Sequence, residues 1–232
     1  MTAPHCYSSV RLERVRLAQL NPSTLQAQTG AGHGYVIDSQ VLLTVGTEIE
    51  EGDEFTQKNG GGRLCASVRE DDLFKRVTLS LQVCNADPVL ESFLTGARLF
   101  RDGSANAIGV QAPAADTALT TAVCLEAWSR AWDGTQQGIP AVTSPNVAYH
   151  HWVFPYAHGF TVQDFDLANG ITLFQFDGLG DENSAITLNG PFNDWPASIA
   201  DEGGVVGAYG RFFDGATLPS ATCATITVPA GS

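Results

Sequence analysis

The stretch LFKRVTLSLQVCNADPVLESFLTG, residues 73–96, decides how this chain is read. Its first half alternates: Val77, Leu79, Leu81 and Val83 fall on one face, and Thr78, Ser80 and Gln82 on the other. Such alternation marks a half-buried strand, because successive side chains point to opposite sides of the backbone. The second half opens on Asp87-Pro88. An aspartate caps the free N–H groups of a helix start, and proline at the first helical position gives up no needed donor. Leu90, Phe93 and Leu94 then form one apolar stripe, and Gly96 can end the helix in the left-handed region. A helix this short is not stable alone in water. Its stripe therefore predicts packing on the apolar face of a sheet.

Outward from this unit the chain reads as β-rich. Its 24 glycines and recurring breaker clusters favour many short strands joined by turns, and a 44% hydrophobic content is enough for a real core. Residues 10–20 read as a strand in which Val10 and Leu12, then Val15 and Leu17, change parity, which predicts a bulge. Residues 21–34 read as a polar loop and 35–50 as one or two strands. Glu48, Glu50, Glu51, Asp53 and Glu54 then crowd together ahead of three glycines at 60–62. This predicts a long acidic, glycine-tipped excursion over residues 46–62, with a further strand near 63–68. The glycine run lacks the Lys-Ser/Thr and the helix start that a phosphate-binding loop needs.

Later segments follow the same pattern. Strands are expected at 105–111, 119–132 and 149–156, the last with His150, Trp152, Phe154 and Tyr156 on one face, and a loop at 133–146. Asn169-Gly170 is the preferred two-residue hairpin turn. Pairing outward from it sets Phe165 opposite Phe174 and Asp166 opposite Leu173. Asp164 and Asp166 then share a face, and Phe165 points into a core. From 177 onward the pattern weakens, with a last strand near 222–229. Residues 1–176 are therefore taken as the main β domain and 177–232 as a C-terminal extension that can pack on it.

Charge and motifs narrow the function. The net charge is −13, and from residue 131 onward there are ten acidic residues against one basic residue, Arg211. Gripping DNA by its phosphates takes Lys and Arg, so a DNA-holding role is excluded, though DNA can pass by. Arg11, Arg14 and Arg16 form the densest basic group, without the interleaved aromatics of a nucleic-acid site. The five cysteines are scattered with no CxxC pair, and no signal peptide or membrane span is read; reduced, mostly core-filling cysteines made in a cytoplasm are expected. None of GxSxG, HExxH, Walker or GxGxxG occurs. His150 and His151 are adjacent and face opposite ways on a strand, so they cannot share a metal. Asp164, Asp166 and Asn169 only faintly echo a calcium loop, with Ala168 where a ligand belongs. No catalytic residue, metal or cofactor is expected, and the chain is read as not an enzyme.

A family resemblance adds to this. The runs Val10-Arg11-Leu12 with Arg14, Glu50-Glu51-Gly52-Asp53-Glu54 with Lys58-Asn59, Leu64-Cys65, Lys75-Arg76, Cys84, Asp87-Pro88 and Leu94-Thr95-Gly96 occur in order. So do Ala148-Tyr149, Phe154-Pro155 and the Asn169-Gly170 turn. Together, over residues 8–176, they resemble the major tail tube protein of long-tailed, siphovirus-type actinobacterial phages. The resemblance implies a β-sandwich or β-barrel with one short flanking helix. It implies hexameric rings stacked into a tube that conducts DNA into the host. It implies a virion tail location, after assembly in the host cytoplasm. The implied partners are further copies of the chain and the tape measure, tail terminator and baseplate proteins, with no membrane. By the same analogy the excursion at 46–62 reaches the next ring. Its Glu48, Glu50, Glu51, Asp53 and Glu54 would meet Arg11, Arg14 and Arg16, and Asp164 and Asp166 are candidates for the lumen wall. Other readings are a tail terminator, a capsid decoration protein, or a carbohydrate-binding β-sandwich using Trp128, Trp132 or Trp152.

Overall fold

The computed structural model describes residues 8–85, 87–132, 148–166, 169, 172–214, 218–220 and 222–230. The fold is mainly β, as expected. β1 (Ser8–Gln19), β2 (Gly30–Ile37), β3 (Gln40–Glu50), β6 (Leu73–Val83), β9 (Ala122–Trp132), β10 (Tyr149–Val162), β11 (Phe174–Asp181) and β13 (Ala224–Val228) form one antiparallel sheet in the order β13-β2-β1-β9-β10-β11-β6-β3. β12 (Gly210–Asp214) pairs with β10 beyond the end of β11. Two small hairpins stand apart, β4 (Glu54–Lys58) with β5 (Leu64–Arg69) and β7 (Arg98–Arg101) with β8 (Ala107–Gln111). A loose arm is expected at residues 1–9, but Ser8 and Ser9 already belong to β1; residues 1–7, the loop expected at 133–146 and Gly170 of the expected turn lie outside the described residues.

The predicted strand and helix at 73–96 are found. Val77, Leu79, Leu81 and Val83 are buried, and α1 (Pro88–Thr95) follows with Leu90, Phe93 and Leu94 buried beneath it. The Asp87 carboxylate accepts from the Val89 N–H, and Gly96 ends the helix at φ 73°. The helix rests inside a strongly curled sheet. Val15 and Leu17 of β1, Tyr35 and Ile37 of β2, and Leu79 and Leu81 of β6 join one core with Phe154, Phe160 and Phe176. β2 and β6 lie near opposite ends of the strand order, so they share a core only because the sheet bends back on itself into a barrel-like shape. Asp38 and Ser39 alone connect β2 to β3, which carries the chain from one end of the sheet to the other. The bulge expected in β1 is present, with register shifts between Ser9 and Arg11 and between Leu12 and Arg14.

The outer face of the sheet carries a second core. Ala18, Leu20, Cys124 and Val153 are covered by Ile186 and Trp195 from the chain after β11. That cover includes a second helix, α2 (Ala197–Asp201), of only five residues. A domain boundary at 176 falls inside β11, and β12 and β13 both belong to the main sheet. The described residues from 177 onward are thus sheet and cover of one body, bound through long-range pairing that carries no local sequence pattern.

Three expectations need correction. First, Tyr156 does not share a face with Trp152 and Phe154: it packs on the outer cluster, because the β9–β10 register shifts between Phe154 and Ala157. Second, the predicted hairpin register would set Val162 opposite Asp177, whereas its partner is Phe176. The one-residue offset therefore arises between Val162 and the turn; a bulge between His158 and Thr161, at Gly159 with φ 64°, shifts the register by a further residue beyond it. The ladder stops at Val162, so Phe165 remains 45% exposed and only touches Phe174, with ring centroids 4.9 Å apart. Third, the cysteines are not mostly core: Cys124 is buried, but Cys65 and Cys84 are exposed.

Gly96 allows a direct test of the helix stop. A Cβ at this left-handed position would press on the Thr121 hydroxyl. Gly96→Ala should cost about 1–2 kcal/mol for the left-handed backbone alone, read as a lower urea midpoint at unchanged slope.

Candidate assembly surfaces

The acidic excursion is a projecting arm. β3 and β6 pair out to Glu50 and Leu73, and the chain continues as the β4–β5 hairpin. At its tip the Asn59 side-chain oxygen accepts from the N–H groups of Gly61 and Arg63, and Gly62 sits at φ 78°. At its root Gly52 donates its N–H to Asp72, and a Cβ there would strike the Glu70 carbonyl. Every residue of β4 and β5 is exposed. Phe55 stands opposite Val68, and Ile49 opposite Phe74, all four more than half exposed. The alternate positions are polar: Glu54 opposite Arg69 and Thr56 opposite Ser67. The arm is therefore amphipathic, with an apolar face that no described residue covers.

Its carboxylates divide into two sets. Glu48 is held by Lys75 and Arg76, each at 2.8 Å. The hydrogen bond from Lys75, aided by the Arg76 charge, keeps its carboxyl below the ordinary range. Glu50, Glu51 and Asp53 have no cationic partner among the described residues, and Glu54 accepts only from the Ser67 hydroxyl at 3.2 Å. Four of the five predicted contact carboxylates are thus available to another molecule.

The three arginines divide as well. Arg11 is 66% exposed at its side chain, with only a loose contact to Glu13 at 3.6 Å. Arg14 is half-buried and donates one N–H to the Glu13 carbonyl. Arg16 is corrected: it is buried and cannot receive a neighbour. On β1 it faces Glu126 of β9 at 2.5 Å, and Asp194 closes over it with two hydrogen bonds of 2.6 and 2.9 Å. Its guanidinium lies over the Phe192 ring at 3.9 Å and the Trp128 ring at 4.9 Å. Trp195 donates its indole N–H to the same Glu126 at 2.6 Å.

This buried network was missed at the sequence level. Its partners are 110 and 178 residues from Arg16, and the only local signal was a lone Glu126 inside an apolar run. Burial pushes the Glu126 carboxyl up, and Arg16 opposes that. Burial works to lower the Arg16 pKa, but Glu126 and Asp194 outweigh it and hold the group above its ordinary value. The sheet also buries Glu13, which Arg130 meets at 2.5 Å. Inside the curl, burial and the Asp87 carboxylate raise the Tyr35 hydroxyl, which donates to Asp87.

The remaining candidates are placed as follows. Asp164 and Asp166 are exposed just past the end of the β10 ladder. Trp128 and Trp195 are buried. Trp152 donates to the Ser129 hydroxyl at 3.1 Å and lies under Arg211, so it offers no open ring for a sugar. His150 and His151 are both buried within the sheet. Among the described residues no group of three or more His, Cys, Asp or Glu is placed to hold a metal ion, and no helix is long and apolar enough to cross a membrane.

Arg16→Met should cost roughly 3–5 kcal/mol, since it leaves Glu126 buried without its cation. Glu126 would then hold its proton more tightly folded than unfolded. Stability of the variant should fall as pH rises from the ordinary carboxylate range through the raised folded pKa, then level off. Adding Glu126→Gln should abolish that slope; chemical denaturation at mildly acid and neutral pH reads both.

Compared with known proteins, no family model matches this chain, and no curated protein matches it either.

Proposed function

We propose that this chain is a virion structural protein that polymerises into the tail tube of a long-tailed phage and passes DNA without binding it. The observation that carries the reading is the arm. An isolated two-stranded hairpin is marginal in water at best, yet this one displays Phe55 opposite Val68, and the β3–β6 pair at its root displays Ile49 opposite Phe74. Exposed apolar surface of this kind, bordered by unpaired carboxylates, is what a self-assembling subunit needs. Hexameric rings, and the tape measure, terminator and baseplate proteins as further partners, follow from the family resemblance.

The outward face of β3, β6 and β11 supports the DNA-passing half of the reading. Thr44, Thr78, Ser80, Gln82, Gln175 and Asp177 lie on it, opposite the core positions of the same strands. Gln82 donates to Gln175 at 2.8 Å, and Gln175 to Asp177 at 3.0 Å. One N–H of each amide is thus used within the face, none of these positions is a lysine or arginine, and Arg76, next along β6, is paired with Glu48. Together with Asp164 and Asp166 the face makes a surface that a polyanion slides past. Retention needs cations, and even a few per ring would add up along a tube.

Negative-stain microscopy of the purified chain tests the assembly. Long hollow tubes are expected; single rings or trimers would point instead to a terminator or a decoration protein. Asp164→Lys with Asp166→Lys should slow DNA ejection from virions, and unchanged ejection would remove both residues from the wall.

A further inference from the structure

The curled sheet does not close along its whole length. β1 pairs with β9 from Ser8 to Gln19, but with β2 only from Val15 to Ala18. β3 pairs with β6 along one edge and with no described strand along the other. A groove of about 720 Å3 is left along this seam, and Arg14 Nε and Gln40 Oε1 in its lining are shut off from solvent with no hydrogen-bond partner among the described residues. The Asp38-Ser39 corner spans the seam, and Asp38 lines the groove. Two thiols converge on that corner. Cys84 follows β6; its N–H donates to the Ser39 carbonyl at 3.0 Å, and its Sγ lies 3.3 Å from the same oxygen. Cys223 precedes β13; its Sγ donates to Asp38 Oδ1 at 2.6 Å and lies 3.7 Å from Ser39 Oγ. Residues far apart in sequence thus bring both sulfurs against one serine. Cys84 is exposed and Cys223 half-buried, so a small reagent meets Cys84 first. The other described cysteines do not compete: Cys124 is buried, and Cys65 lies on the arm.

We propose that Cys84 and Cys223 are a redox pair, which a small-molecule disulfide oxidises to one intrachain bond that clamps the seam. Neither residue lies inside a strand: Cys84 comes just after the end of β6 and Cys223 just before the start of β13. Both stand in bends, where a backbone shift breaks no pairing within either strand. Closure needs the two Cα atoms within about 7 Å, and rotation of both side chains with a shift of these bends supplies it. The Cys84 thiolate attacks one sulfur of the small disulfide and expels a small thiolate. Cys223 passes its proton to Asp38, which already accepts its S–H, and attacks the Cys84 sulfur, expelling the second small thiolate. Two protein thiols are oxidised, and one small disulfide is reduced to two thiols. Reducing conditions keep the pair open and oxidising ones close it. The bond ties β13, at one end of the strand order, to β6, next to the other end. It encloses the chain from α1 to β12 in one covalent loop, which restricts the unfolded state. The pair needs no contact between copies, so it does not rest on the assembly reading.

Redox titration of the reduced full-length chain, as a mixture of isotope-labelled and unlabelled copies, tests it. The mixture is equilibrated with oxidised and reduced glutathione in varied ratio, quenched with an alkylating reagent and mapped by mass spectrometry without reduction. A crosslink between Cys84 and Cys223, joining peptides of the same label, is expected; it should grow with the share of oxidised glutathione and vanish in dithiothreitol. Oxidation should raise the folded-to-unfolded ratio, read at a fixed urea concentration, at least about tenfold. Cys84→Ser and Cys223→Ser should each remove that gain, while Cys65→Ser should keep it. Should a serine variant fail to fold, the crosslink map of the unsubstituted chain still decides. Glutathione retained on Cys84 with Cys223 free at every ratio would overturn the pair. So would a bond from either residue to Cys6, Cys65 or Cys124, or a crosslink joining peptides of different label. Each of these results leaves the tube reading untouched.

Discussion

Burial of α1 inside a bent sheet is the constraint on which the rest of this structure depends. Leu90, Phe93 and Leu94 leave water only if strands from both ends of the sheet reach around them. Their burial, at roughly 25 cal/mol per Å2 of apolar area, favours the curl, and the two-residue Asp38-Ser39 corner leaves the chain no slack to flatten. Tyr35 fastens the arrangement at the helix start: its ring meets Phe93 at 5.9 Å and its hydroxyl donates to the capping Asp87. Curling also sets the geometry of the surface. It brings the free edge of β3 to the unpaired half of β1, and it turns the polar face of β3, β6 and β11 outward.

The outer face is secured by different physics. There the chain after β11 is held by charge as well as by apolar contact. Arg16 lies between two aromatic rings and two carboxylates, and Glu126 is shared between Arg16 and Trp195. A buried ion pair of this kind adds little net stability over a well-packed apolar substitute, but breaking one half of it is costly. Its effect is to fix where the segment around Asp194 and Trp195 sits.

Body and arm make a monomer that is complete in its core and incomplete at its surface. The core satisfies its own apolar and ionic demands. The arm exposes an apolar face, and the groove leaves a donor, an acceptor and two strand edges unmade.

Local order was legible in the sequence wherever neighbouring residues determine it. Alternation over 77–83, the Asp87-Pro88 start, the Gly96 stop, the parity change in β1 and the glycine-tipped acidic excursion each depend on residues a few positions apart. Pairings across long separations were not legible. Nothing near Arg16 announces Asp194, and nothing near residue 176 shows that β11 continues through it into a sheet completed by β12 and β13. A bulge defeated even the local reading after Phe154, because one extra residue turns every later side chain to the opposite face. Sequence alone therefore determined the strands, the helix and the charge. Which arginine is free, which face is covered and where a groove remains open were decided only when the sheet curled, because each depends on which distant strands the curl brings side by side.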